Sequence, residues 1–187
     1  MKVARRELHH ISAKHIPFTY IVGLKMKPGS STIEILAFKA LERDIDGSTI
    51  AWASDMLSAG NDTEHLRILA GEHEPFNQFY LHALMDKVLS ELNLSYVDAD
   101  RTIKDYANYL IGLVLSKKLD AFEATTLLKD LYIEMDFESY LHGFYLLFFA
   151  KYDLMHWGDQ HYWDGATKEN IDQVMLDYFV EWRSNNS

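Results

Sequence analysis

Residues 103–115 read IKDYANYLIGLVL, and this stretch decides the fold class. Ile103, Tyr106, Ala107, Leu110, Ile111, Val114 and Leu115 recur at the i, i+3, i+4, i+7, i+8 spacing that lines up one apolar face on an α-helix. Asp98 or Asp100 stands at its start, where a carboxylate satisfies free amides and the helix dipole. Two more helices follow downstream. Asp120 and Glu123 open one with the stripe Ala124, Leu127, Leu128, Leu131, Tyr132 and Met135. Asp136 is expected to cap the next, which is apolar nearly all round through Phe137, Tyr140, Leu141, Phe144, Tyr145, Leu146, Leu147, Phe148 and Phe149. A helix with no polar face belongs at the centre of a core, so this one is expected there.

The same pattern extends in both directions. Upstream, Ser31 and Glu34 have capping-box spacing before a helix to about Arg43. Ser48 is expected to cap a second helix to about Ser58, and Asn61 with Glu64 a short third ending near Gly71. Pro75 is expected in the first turn of a fourth, striped by Leu81, Leu84, Met85, Val88 and Leu92. Downstream, residues 154–166 read as an aromatic loop, and Thr167 caps a last helix carrying Ile171, Val174, Met175, Tyr178, Phe179 and Trp182. Short connections make neighbouring helices antiparallel. The expected fold is therefore all-α: a helical bundle, or a short α-superhelix of antiparallel helical hairpins, with seven or eight helices and no fixed internal repeat.

Charge divides the chain at residue 28. Residues 1–28 carry Lys2, Arg5, Arg6, Lys14, Lys25 and Lys27 against Glu7, a balance of +5. Residues 29–187 carry 12 basic and 27 acidic residues, a balance of −15. Two units are expected: a basic N-terminal arm, 1–28, and a single helical domain, 29–187. Within the arm, Phe18, Tyr20, Val22, Leu24 and Met26 alternate with other residues at the period of a strand, so the arm is expected to be extended. MKVARR followed by IPFTYIVGL mimics a signal peptide. However, ELHHISAKH separates the charges from the apolar run and no small-residue cleavage site follows, so no leader is expected. No apolar stretch approaches the roughly 20 residues of a membrane span. The acidic body lacks the Lys/Arg clusters that neutralise phosphates, which argues against nucleic acid. Cysteine is absent, which fits a reducing cytoplasm and excludes thiol chemistry.

Glu64–Leu94, EHLRILAGEHEPFNQFYLHALMDKVLSELNL, resembles a segment of small uncharacterised all-helical bacterial proteins. The ILAG turn, the Pro-Phe-Asn after it and the helical ELNL carry the likeness. The resemblance implies an all-helical fold and no catalytic residues. Some such proteins resemble immunity proteins of bacterial toxin systems.

No Gly-rich phosphate loop and no nucleophile elbow occurs. The residues that could bear chemistry are mostly histidines. Asp153, His156 and His161 lie close in sequence, and Asp62 with His65 repeats the D-x-x-H spacing. Imidazole and carboxylate ligands suit Zn, Fe or Mn, although the spacing matches no established ligand pattern. Arg67, near Glu64 and Glu72, reads as a structural ion pair rather than an anion clamp. Trp157, Tyr162 and Trp163, beside Asp159 and Asp164, read either as partner anchors or as rings folded back over the end of the core.

These features point to a non-enzymatic interaction protein without a cofactor, of immunity or adaptor type, whose acidic surface binds a basic protein. The alternative is a metal-dependent enzyme using the His156/His161 region. The charge boundary and Pro28-Gly29-Ser30 further imply that residues 1–25 are dispensable for folding. A chain beginning at Met26 should keep the melting temperature of the full chain by circular dichroism; a markedly lower melt would make the arm integral.

Overall fold

In the computed structural model, which describes residues 32–186, the IKDYANYLIGLVL stretch lies within the longest helix. The described residues form eight α-helices and no strand: α1 Thr32–Ala40, α2 Gly47–Ser58, α3 Glu64–Ala70, α4 Gln78–Glu91, α5 Ala99–Leu115, α6 Ala121–Glu134, α7 His142–His156 and α8 Ile171–Asn186. The basic arm and its alternating segment lie outside the described residues. The protein is all-α, as its periodicity requires.

Helix α5 buries Ile103, Tyr106, Ala107, Leu110, Ile111 and Val114, while Leu115 at its end is exposed. Each large apolar side chain so buried contributes about 1.5–3 kcal/mol against exposure. This helix packs against α1, α6 and α8, and α6 in turn packs against α7. Helices α2, α3 and α4 pack in sequence order around Trp52, Leu66, Leu69, Leu81, Met85 and Val88. The two assemblies meet at α1. Ile35 belongs to the α2–α4 cluster and Ala37 to the α5–α8 cluster. A third cluster joins α7 and α8 through Leu147, Ala150, Leu154, Ile171 and Met175.

Several helix ends differ from expectation. Asp46, not Ser48, caps α2, accepting from the Ser48 and Thr49 amides. Asn61 does not open α3; its side-chain amide donates to the Met56 carbonyl at the end of α2. Pro75 precedes α4, whose cap is Asn77, accepting from the Tyr80 amide at 3.1 Å. Asp98 and Asp120 cap α5 and α6 as expected. At α8, Thr167 and Asn170 bond reciprocally across the opening turn, the Thr167 amide donating to Asn170 Oδ1 at 2.7 Å.

The largest correction concerns α7. Asp136 does not cap it; with Phe137 it adopts a left-handed conformation, φ 52° and 69°. The Phe137 amide donates to the Tyr132 carbonyl at 2.9 Å, closing the end of α6. The chain then passes through a 3-10 turn, Ser139–Leu141, before α7 begins. Only Phe144, Leu147, Ala150 and Leu154 of α7 are buried, so α7 flanks the core and α5 is the helix with neighbours on most sides.

The seat of α8 depends on one glycine. A Cβ at Gly143 would overlap the Tyr178 ring and hydroxyl. That ring is held edge-on by Phe144 at 5.1 Å and Trp163 at 5.2 Å, so it cannot swing away. In an exposed helix, Gly→Ala would gain about 1 kcal/mol. Here Gly143→Ala should instead cost about 1–3 kcal/mol, the range for overpacking. Urea unfolding checks the sign, and a stabilised variant would show that α8 yields freely.

Candidate functional site

The outward side of α7 is aromatic because two rows at i, i+4 run along it. Such residues stack one above the other on a helix. The first row is Phe148, Tyr152 and His156, with ring centroids 6.1 and 4.1 Å apart. Phe122 of α6 stacks on Phe148 at 5.3 Å, and the Lys129 ammonium lies 4.8 Å from the Phe148 ring. The second row is Tyr145, Phe149 and Asp153, with Tyr145 and Phe149 4.8 Å apart. Phe148 and Phe149 meet edge to face and join the rows. Tyr145, Phe148, Phe149 and Tyr152 are all half-buried, covered partly by one another and partly by Tyr132 and Phe122 of α6.

The loop after α7 completes this face. Tyr162 folds back onto Phe149 at 5.4 Å and remains 41% exposed. Burial first, then the charges of Asp153 and Tyr145, push the Tyr162 phenol above its ordinary value. The Gln160 side chain sets the loop: its Oε1 accepts from the Tyr162 and Trp163 backbone amides, and its Nε2 donates to the Trp163 and Ala166 backbone carbonyls. Trp163 turns inward, half-buried against Tyr178. Trp157, at the C-terminal cap of α7, is 79% exposed. Asp159 and Asp164 are exposed beside them. Of the five anchor candidates, the structure thus directs Trp157 and Tyr162 outward and folds Trp163 back. Sequence reasoning assigned Tyr145, Phe148 and Phe149 to the core, where only Tyr145 packs against the main cluster, and it missed Gln160. The i, i+4 aromatic rows were the available signal for the former; a lone Gln offered none.

Four of the five metal-ligand candidates have separate neighbours, and Asp153 lies half-buried on α7 without joining them. Asp62 accepts from Arg67 at 2.5 Å, so Arg67 does form an ion pair, with a partner other than the two nearest in the sequence reading. The His65 ring lies 2.6 Å from Glu91. The His156 ring bonds the Tyr152 carbonyl at 2.7 Å, and His161 stands 3.9 Å from Asp159 in solvent. Among the described residues no three His, Asp or Glu side chains are grouped to hold a metal ion. His73, between Glu72 and Glu74, bonds the Gly71 carbonyl. An open cleft of about 530 Å³ lies between α6, α7 and α8, lined by Phe122, Lys151, Leu154 and Met155 among others. Its Lys151 is committed to Asp172 at 2.5 Å. No described helix is long and apolar enough to cross a membrane.

No family model, curated protein or solved structure matches this chain.

The Glu91 contact predicts an acid response. Proximity to the Thr63 hydroxyl first, though no hydrogen bond from it, and His65 second hold the Glu91 carboxyl down at about 2, against an ordinary 4.5. A carboxyl lowered on folding adds stability above its unfolded value, and that stability is lost as pH falls through the interval. Melting temperature should therefore decline between pH 4.5 and about 2 more steeply in the wild type than in Glu91→Gln. Parallel curves for the two would remove Glu91 from the account.

Proposed function

We propose that this protein is a non-enzymatic interaction protein, of adaptor or immunity type, that binds a basic protein partner through the outward face of α7 and the loop after it. One observation carries the reading: Trp157 is 79% exposed at the edge of a half-buried aromatic face. Phe79 is also exposed and, like Trp157, contacts no other ring among the described residues; Trp157 differs in directly following His156, the end of the first α7 row. Aromatic side chains bury much area at low entropic cost and dominate binding energy where a partner covers them.

The charge of the partner follows from the surroundings. The −15 of residues 29–187 attracts cations over distance, and Asp153, Asp159 and Asp164 place acid beside the rings. The C-terminal end of α7 adds the negative pole of its dipole. A protein without cysteine suits a cytoplasmic setting, where thiols stay reduced and disulfides are rare.

The test is capture from the native host with wild-type protein and Trp157→Ala, at low and raised salt. A basic protein should be retained by the wild type, and its association should slow as salt rises. Trp157→Ala should weaken binding by about 2 kcal/mol or more, mainly through faster dissociation. Partners that ignore both salt and the substitution would refute the reading.

A further inference from the structure

We propose that Tyr145, Phe149, Tyr162 and Asp153 form a seat for a single cationic side chain, Arg or Lys, presented by a basic protein segment. The proposal rests on the interaction reading above and specifies what that surface grips.

The geometry is that of a partial aromatic cage with a carboxylate at its edge. Tyr145, which also packs against Tyr132 at 5.3 Å and His142 at 6.2 Å, lies 4.8 Å from Phe149 with the two planes tilted by 58°. Tyr162 comes in from the loop at 5.4 Å from Phe149 and adds a second wall. Asp153 follows Phe149 by four residues, one turn further along the same side of α7. Asp153 as a residue is half-buried, and among the described residues its carboxylate makes no hydrogen bond and no ion pair. A cation seated on the adjacent rings would give this carboxylate a partner.

The protein's own rings show what such surfaces accept. Arg43 lies over Phe38 at 4.5 Å, Lys104 over Tyr140 at 4.7 Å, Lys129 over Phe148 at 4.8 Å and Lys39 over Tyr96 at 5.5 Å. Phe148, in the neighbouring row, therefore carries its own cation. No described Lys or Arg lies over Tyr145, Phe149 or Tyr162. The ring faces are negative, as are Asp153 and the helix end, so all three favour the same charge. Gln160 holds Tyr162 in place through the loop amides, so the cage is built before any partner arrives.

The probe is a hexa-arginine peptide titrated calorimetrically into the full chain at low salt. Tyr162→Leu and Asp153→Asn should each weaken binding by about three- to tenfold, the range of a partly desolvated cation–π contact. Tyr162→Phe, which keeps the ring, should stay within about twofold of wild type. Asp164→Asn removes the same charge from the exposed loop and serves as the control for diffuse attraction. The proposal is overturned if wild type fails to bind the peptide, if Tyr162→Leu binds like wild type, or if Asp153→Asn weakens binding no more than Asp164→Asn. Melting curves verify that each variant is folded; should Tyr162→Leu fail to fold, Asp153→Asn against Asp164→Asn decides alone. Loss of binding in Trp157→Ala but not in the cage variants would remove the seat and keep the wider surface. The cage variants acting while host capture ignores Trp157→Ala would keep the seat and remove the wider reading.

Discussion

The fold depends on α1 being buried on two sides at once. Ile35 and Ala37 are two residues apart, about 200° around the helix, so they face different clusters. Ala37 is small enough for α5 to approach closely, and Ile35 fills the space toward α2–α4. Polar groups fix the register of this wall. Lys39, whose side chain is only 9% exposed, binds Asp86 at 2.9 Å and the His82 carbonyl at 3.2 Å on α4. Arg43 makes a forked contact with Glu134 of α6, and the Tyr106 hydroxyl of α5 donates to Glu34 at 3.3 Å. Removing Asp86 would strand the buried Lys39 ammonium, whereas Arg43 and Glu134 are each about one-third exposed, so the Lys39 contact does most to specify one seating of α1.

With α1 holding the two assemblies together, the remaining helices divide the work. Helix α5 is a spine, and α6 and α8 close over it. Trp182 of α8 donates to the Tyr140 carbonyl at 2.7 Å, tying the last helix to the turn before α7. Helix α7 can then turn one row, Phe144, Leu147, Ala150 and Leu154, into the core and leave its aromatic rows at the surface. The proposed interaction surface is thus a consequence of packing: α7 has more apolar side than the fold has helices to cover.

Much of the fold was legible locally. Every residue of the predicted α5 stripe except Leu115 is buried, Thr102 being buried beside them, and Asp98 and Asp120 took up the capping roles their positions suggested. Capping failed where two candidates stood close together. Asp46 prevails over Ser48 because its carboxylate reaches two amides at once. Asp136 lost its role because the six-residue closure of α6 claimed the backbone there first. For the site, the aromatic loop was visible as composition, but its division into an outward Trp157 and an inward Trp163 was not.

The sequence by itself determined what depends on nearest neighbours along the chain: seven or eight helices, the starts of α5 and α6, and a net negative charge. Only the tertiary structure decided what depends on cover. An amphipathic helix such as α5 carries its orientation in its own pattern, because one side alone is apolar. Helix α7 has no polar side, so its pattern names no direction, and its position against α6 and α8 selected which row was buried. Trp157 and Trp163 are the same residue type six positions apart. The difference between them is that Gln160 turns the backbone between them and Tyr178 lies within reach of only one.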